Sequence, residues 1–248
     1  MRFTVLGCSG TFPGPDSPCS GYLFESEGYR LLVDLGNGAT GVMQRCIGLL
    51  DVDAVIVSHL HGDHYLDIVT YTYARRYNPA GRPPRLPVYG PRGVGEHVAG
   101  AFGRPVSSLL DEVFDFHTLT EDRLDLGPFS VDCARVNHPV ETFALRIGAG
   151  SRSVAYSADT GVCDRLVELA GGSDLFLCEA SYLDGEENPP DVHLTGGQAA
   201  EHASRAGVGR LLLTHLVPWG DPERTLAAAH DSFAGQIELA RTQASLEI

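Results

Sequence analysis

The sequence predicts an α/β fold in which short strands alternate with helices from one end of the chain to the other. Three observations carry this prediction. Short apolar runs recur, each bounded by Gly, Pro, Ser or Asn. Stretches with helical spacing of apolar residues lie between them. Finally, Ala54-Val55-Ile56-Val57 is apolar throughout, the pattern of a strand buried in an inner sheet.

The elements follow in order. Strands are predicted at Arg2–Leu6, Tyr22–Phe24 and Arg30–Asp34, separated by Gly/Pro/Ser-rich turns. A helix over Gly41–Leu50 places Val42, Met43, Cys46, Ile47 and Leu50 on one face. After the strand Ala54–Val57 a helix is predicted over Leu66–Tyr77. A proline-rich crossing follows, then a brief strand at Val88–Tyr89 and a helix starting near Gly93. Phe114–Leu119, Phe129–Val136, Phe143–Ile147 and Ser153–Ser157 read as a run of strands. The remainder alternates: helix Leu166–Ala170, strand Leu175–Cys178, helix Gly197–Ala206, strand Arg210–Thr214, helix Pro222–Phe233 and strand Gln236–Leu239. Two halves of strands followed by helices are expected, without convincing internal sequence similarity.

The chain has 248 residues, 43% of them hydrophobic, which suits one α/β unit with a sizeable core. No linker or low-complexity tract divides it, so residues 1–248 are read as a single domain. The net charge is −14, and all 18 basic residues are arginine. Such a field repels phosphate polymers at long range, and no basic stripe is visible, so nucleic acid is not expected as a partner. A small substrate with one or two charges remains open, because bound divalent ions invert the local field. The cysteines, at 8, 19, 46, 133, 163 and 178, show no C-x-x-C spacing. That excludes a readable zinc ribbon or thioredoxin-like motif and fits reduced, mostly buried thiols. The opening run Met1–Leu6 breaks at Gly7 and is too short for a signal segment. No stretch approaches the roughly 20 apolar residues of a membrane span. The expected address is the cytoplasm, with no membrane partner.

The chemistry concentrates in His59-Leu60-His61-Gly62-Asp63-His64. Three imidazoles and a carboxylate stand just after a buried strand, where a glycine turn can splay alternate side chains toward one point. Imidazole and carboxylate suit zinc, manganese or iron. One ion rarely takes all four, so two ions sharing the turn are expected. Further ligands must complete the shells. His138, Asp159 and His215 each follow a predicted strand, and ligand sites gather at strand ends in open α/β architectures.

In order and spacing, His59-x-His61-x-Asp63-His64 with His138, Asp159 and His215 resembles the metallo-β-lactamase superfamily. The resemblance implies a four-layer αββα sandwich with mixed sheets and two metals at one edge. His59, His61, His138 and Asp159 would hold one ion. Asp63, His64, Asp159 and His215 would hold the other, with Asp159 bridging. Zinc is the expected metal, with manganese or iron as alternatives. β-Lactamase, glyoxalase II and lactonase branches usually carry Gly-His-Thr around the third histidine, where this chain has Asn137-His138-Pro139. It looks more like the ribonuclease Z branch, through Leu86–Pro91, Tyr156–Thr160, Glu179–Ser181, His193–Thr195 and Leu213–His215. Ribonuclease Z enzymes extend a long arm that grips tRNA, often between the third histidine and the bridging aspartate. Here that interval is short and filled by two predicted strands, and no Gly- and Lys-rich arm appears elsewhere. The nearest resemblance is to bacterial atypical cyclic-nucleotide phosphodiesterases, carried by Leu6–Gly10, Gly14–Pro18, Tyr156–Gly161, Phe176–Ser181 and Leu211–His215 with Pro218-Trp219.

The resemblance therefore implies a dinuclear phosphodiesterase that cleaves a small cyclic nucleotide such as cyclic AMP by attack of a metal-bridged hydroxide. The alternatives are tRNA 3′-end processing, hydrolysis of another small phosphodiester or ester, and a non-hydrolytic metal protein. His193 is the candidate acid, since the family places this histidine over the phosphate. Glu179 either orients His193 or caps Thr195 or a neighbouring turn. Asp63 would share proton handling while binding metal. The ribonuclease Z branch often dimerises, which makes a homodimer an expectation here. Other features carry less. Gly7-Cys8-Ser9-Gly10-Thr11 is either a tight turn near the site or a set of amides facing phosphate. Arg75, Arg76, Arg82 and Arg85 read as a solvated helix end. Trp219 and Tyr182 either border a nucleobase or simply pack. Asp184, Glu186, Glu187 and Asp191 crowd a loop that could rim the site.

Overall fold

The computed structural model describes residues 1–103, 105 and 109–248. The first half contains strands β1 (Arg2–Gly7), β2 (Gly21–Ser26) and β3 (Tyr29–Leu35), helix α1 (Ala39–Cys46), strand β4 (Ala54–Ile56) and helix α2 (Gly62–Arg76). Strand β5 (Leu86–Gly90), helix α3 (Val94–Phe102) and strand β6 (Phe114–Thr118) complete it. The second half opens with β7 (Leu124–Leu126), β8 (Phe129–Arg135), β9 (Phe143–Ala149) and β10 (Arg152–Tyr156). It continues through α4 (Asp164–Ala170), β11 (Leu175–Glu179), α5 (Gly196–Ala206), β12 (Arg210–Thr214), α6 (Pro222–Ser232), β13 (Gln236–Leu239) and β14 (Ser245–Glu247).

Two seven-stranded sheets result, ordered β14-β1-β2-β3-β4-β5-β6 and β13-β12-β11-β10-β9-β8-β7. In the first, the pairings from β14 to β3 are antiparallel and those from β3 to β6 are parallel. The second repeats the same pattern, antiparallel from β7 to β10 and parallel from β10 to β13. The halves therefore match in pairing although their sequences do not resemble each other. Side-chain direction and hydrophobicity fix strand pairing, and many sequences satisfy both.

Apolar residues fall into three layers. Phe3, Tyr22, Phe24, Phe129, Val131 and Tyr156 fill the space between the sheets. On the outer face of the first sheet, Met43 of α1, Ile68 and Tyr71 of α2 and Val98 of α3 pack against Leu23, Leu32 and Val88. On the outer face of the second, Leu166 of α4, Ala199 and Ala203 of α5 and Ala229 of α6 pack against Phe176, Leu211 and Leu213. This is the four-layer αββα sandwich. Each buried Val, Leu, Ile, Phe or Met side chain in these layers contributes about 1.5–3 kcal/mol relative to exposure.

Two helix starts reach the site or its rim. The Thr195 hydroxyl accepts from the Gln198 amide while the Gln198 side chain accepts from the Thr195 amide, a reciprocal cap that sets the first turn of α5. Helix α2 begins four residues before the predicted position, at Gly62, with His61 as its N-cap. The predicted glycine turn is thus the first turn of a helix, with five residues between it and the end of β4. Asp63 in the first turn meets the positive end of the helix dipole there, which offsets the poor helix propensity of Gly62. Helix α1 starts two residues earlier and ends four residues sooner than predicted, at Cys46. Strands β7 and β14 were not predicted; each has three residues, too few to show a period. Among the described residues, no helix is long and apolar enough to cross a membrane.

Candidate metal centre

Five strand ends meet at one edge of the sandwich. His59 follows β4, His138 follows β8, Asp159 follows β10, Glu179 closes β11 and His215 follows β12. His61, Asp63 and His64 enter through the start of α2. The site therefore straddles the seam between the two sheets.

The donors form two groups that share Asp159: His59, His61, His138 and Asp159, and Asp63, His64, Asp159 and His215. In the first group, His61 Nδ1 lies 3.2 Å from His59 Nε2 and 3.1 Å from His138 Nε2. His59 Nε2 stands 3.6 Å from Asp159 Oδ2. In the second, His215 Nε2 lies 3.2 Å from His64 Nε2 and 3.1 Å from Asp63 Oδ2. Asp159 Oδ1 is 3.3 Å from His64 Nε2, and its Oδ2 is 3.4 Å from His215 Nε2. Four donors bonded tetrahedrally to an ion at about 2.0–2.1 Å stand roughly 3.3–3.4 Å from one another. The observed separations between facing donors, 3.1–3.6 Å, bracket that spacing.

The hydrogen bonds behind the rings decide which nitrogen faces inward. His64 Nδ1 donates to Asp34 Oδ2 at 2.8 Å, and His138 Nδ1 donates to the Val192 carbonyl at 2.8 Å. The Ser181 hydroxyl donates to the His215 carbonyl, so it accepts from His215 Nδ1. The Ser58 hydroxyl donates to Asp34 Oδ2, so it accepts from His59 Nδ1. Each of these four rings is held with an Nε2 lone pair toward the cluster, as metal ligation requires. Facing lone pairs at these distances repel, and a cation between them removes the repulsion. Asp159 Oδ1 is buried without a hydrogen-bond partner. A buried carboxylate oxygen left so is costly, and an ion would satisfy it. The residues present fit two divalent cations.

Burial pushes the His59, His61 and His138 imidazoles below their ordinary pKa, which leaves them neutral and ready to bind. At Asp159 burial opposes ionisation, but His215, His64 and His59 hold the carboxyl well below the usual range. At His64 burial opposes protonation, but Asp159 and Asp34 together raise its pKa well above the ordinary value. A bound cation takes the place of that proton.

Asp34 is the residue that the sequence reading missed as functional. It is wholly buried. Its carboxylate accepts from the Ser58 amide, the Ser58 hydroxyl, His64 and the Tyr156 hydroxyl, all at 2.7–2.8 Å. Its signal is present in the sequence: an acid ending the apolar run Leu31-Leu32-Val33. Asp34, Ala158 and His215 all adopt positive φ, at 57°, 51° and 56°. Non-glycine residues are held there only when surrounding contacts over-determine them, and such strain gathers at functional sites. Gly36 has no such choice of side chain, because a Cβ there would stand 1.9 Å from the Asp63 carbonyl.

Glu179 does not cap Thr195. Its Oε1 accepts from the Thr160 amide at 2.8 Å and from His193 Nδ1 at 2.9 Å, and its Oε2 accepts from the Ser181 amide at 3.2 Å. His193 Nδ1 stands 4.0 Å from Asp159 Oδ2, beside the cluster. Burial would lower the His193 pKa, but the charge and hydrogen bond of Glu179 push it up to about 9.

The glycine-rich loop is a turn. The amides of Cys8, Ser9 and Gly10 are taken by Ser17, Pro18 and Leu216, and the Thr11 amide donates to Asp63 Oδ2 at 2.9 Å. The arginine-rich stretch lies in its own acidic setting, with Arg76 and Arg82 on Glu112 and Arg85 on Asp111 and Asp115. In the acidic loop, Asp184 accepts from Thr195 and Gly197 while Glu186 pairs with Arg224. All six cysteines are free, and Cys46 alone is exposed.

The αββα frame with paired His/Asp clusters at one edge defines a metallo-hydrolase. Residues 29–216 match the family model described as a beta-lactamase superfamily domain, and the chain belongs to that family. The chain is 41% identical over 254 residues to the uncharacterized Mycobacterium tuberculosis protein Rv1339, covering 100% of this chain and 92% of that one. The crystal structure of the metallo-beta-lactamase fold protein YhfI from Bacillus subtilis superposes with a TM-score of 0.90 at 30% identity, covering 100% of this chain and 99% of YhfI. Ribonuclease Z of Mycobacterium bovis is 30% identical over 280 positions, covering 100% of this chain and 98% of the enzyme.

Proposed function

We propose that the chain is a phosphodiesterase that hydrolyses a small cyclic nucleotide such as cyclic AMP at a two-zinc site. The observation that carries this reading is the His193–Glu179 pair, bonded at 2.9 Å beside the metal cluster. When bound, two divalent ions supply Lewis-acid neutralisation of a phosphoryl group and lower the pKa of a water. The rest falls to the chain. Glu179 holds His193 protonated through Nδ1, which leaves Nε2–H free to protonate a departing sugar oxygen. Asp63, fixed by the Thr11 amide, keeps a charged carboxylate next to His215. Asp34, Ser58, Ser181 and the Val192 carbonyl fix the rings, so positioning precedes substrate. Zinc is favoured because each group offers four His/Asp donors at a spacing that suits four-coordination.

A small substrate is supported by three features. The net charge of −14 disfavours a polynucleotide. Between His138 and Asp159 the chain forms only the β9–β10 hairpin, closed at Gly150. The ribonuclease Z alignment runs over 280 positions against 248 residues here, so that relative carries segments this chain lacks. Its 30% identity along the whole chain nonetheless favours tRNA 3′-end processing as the second reading. Turnover of cyclic AMP by the purified, metal-loaded chain, with the product identified, tests the proposal. Bis-p-nitrophenyl phosphate, nitrocefin and a tRNA precursor serve as comparisons. Absence of turnover of any phosphodiester, with metals intact, would remove it.

A further inference from the structure

Beside the metal cluster lies a cleft of about 510 Å³ lined in part by Thr11, Tyr182, Asn188, His193 and Trp219. That volume falls within the range of small-molecule sites. Three lining residues join the cleft to the cluster: the Thr11 amide bonds Asp63, the Ser181 hydroxyl bonds His215, and His193 stands 4.0 Å from Asp159. At the mouth, Trp219 is 72% exposed, and its ring rests on Phe12 with centroids 4.6 Å apart. Both aromatic residues are anchored to the site. Phe12 follows Thr11 in a tight turn closed onto the Gly10 carbonyl, and the Gly10 amide bonds Leu216, next to His215. Trp219 sits in a turn closed by the Gly220 amide on the Val217 carbonyl, four residues after His215. The indole therefore lies at a set distance from the ligands. The rest of the indole is exposed to solvent, and exposed aromatic rings bind nucleobases by stacking.

We propose that Trp219, seated on Phe12, is the stacking platform for the base of a mononucleotide whose phosphodiester reaches the metal cluster past Thr11 and His193. The assignment rests on the cyclic-nucleotide reading and deepens it: the substrate class is a single nucleotide unit. Glu186, paired with Arg224, lines the same cleft, so the rim offers a further phosphate no unpaired cation from this pair. Stacking is tolerant of base identity, so recognition falls on the presence of a base rather than its sequence.

The chain contains one tryptophan, so its intrinsic fluorescence reports on Trp219 alone. The metal-loaded protein is titrated with cyclic AMP, with 5′-AMP and with dimethyl phosphate, which has no base. Both nucleotides should quench the emission saturably, and dimethyl phosphate should leave it unchanged. By calorimetry, Trp219→Ala should bind 5′-AMP about tenfold more weakly, and Trp219→Phe should stay close to the parent. Equal affinity in Trp219→Ala, or quenching by dimethyl phosphate as strong as by 5′-AMP, would overturn the platform. The two readings fail separately. Nucleotide quenching without hydrolysis of any phosphodiester keeps the platform and removes the phosphodiesterase. Hydrolysis of cyclic AMP with no quenching and no effect of Trp219→Ala keeps the phosphodiesterase and removes the platform.

Discussion

Asp34 Oδ2 receives the Nδ1 proton of His64 at 2.8 Å, with both side chains fully buried. The carboxylate thereby selects the tautomer of His64 and turns its Nε2 toward Asp63, Asp159 and His215. Asp34 acts only through the residues it holds, and it holds both lips of the seam, through Ser58 and Tyr156.

Replacing Asp34 with Asn keeps the shape and removes the charge. Outer-shell partners of metal ligands typically contribute 10–100-fold in affinity. Asp34→Asn should lower affinity for the ion held by His64 by that factor, and by less for the ion held by His59, which Asp34 reaches only through Ser58. Competition with a chelator, read by metal analysis, checks this; equal loss of both equivalents would show that the effect is not local to His64.

Loss of the His193 imidazole should leave the ligands in place. His193→Ala should keep two metal equivalents and lose phosphodiester turnover by about 100-fold or more, the range of general acid contributions. Near-normal turnover in that variant would sink the role. His61→Ala, which removes a donor of the first group, should lose metal as well.

The pH profile separates Glu179 from a purely structural part. Burial opposes the charged His193 ring, but Glu179 stabilises it and pushes its pKa up to about 9. Without that charge the ring deprotonates at lower pH, so the protonated acid is lost sooner as pH rises. In Glu179→Gln the alkaline limb of kcat should move to lower pH. An unmoved limb with reduced kcat would mean that Glu179 supports the fold and not the acid.

Away from the site, His202 gives a stability prediction. Its Nε2 accepts from the Cys163 amide at 3.1 Å and its Nδ1 donates to the Gln198 carbonyl at 2.7 Å. Burial lowers its pKa below the ordinary 6.5. The unfolded chain thus binds the proton first, and stability falls as pH drops below that value. His202→Gln should be less stable than the parent at pH 7.5, with the gap narrowing at pH 5.5. Urea melts at both values measure it; a constant gap would contradict the neutral, accepting role.

The ligand set was legible because it is local and chemically rare. His59, His61, Asp63 and His64 fall within one short segment, and His138, Asp159 and His215 each stand after an apolar strand. What supports them was less legible. Asp34 looks like any acid ending a strand until folding brings Ser58, His64 and Tyr156 to it, and the last lies 122 positions away. The start of α2 was placed late because Gly62 and His64 are weak helix formers, while tertiary contacts and the helix dipole outweigh propensity. The matched pairing of the two sheets left no trace in residue identity, since it needs only the alternation of apolar and polar positions, which many sequences satisfy.

The division of the ligands has a mechanical consequence. His59, His61, Asp63 and His64 belong to the first half, and His138, Asp159 and His215 to the second. Each group of donors draws on both, so each bound ion acts as a rivet between two sheets otherwise joined mainly by apolar packing. Any sliding of one sheet over the other stretches both rivets at once. Load applied across the seam would be borne first by coordination bonds, and a chelated protein should yield at lower force than a loaded one.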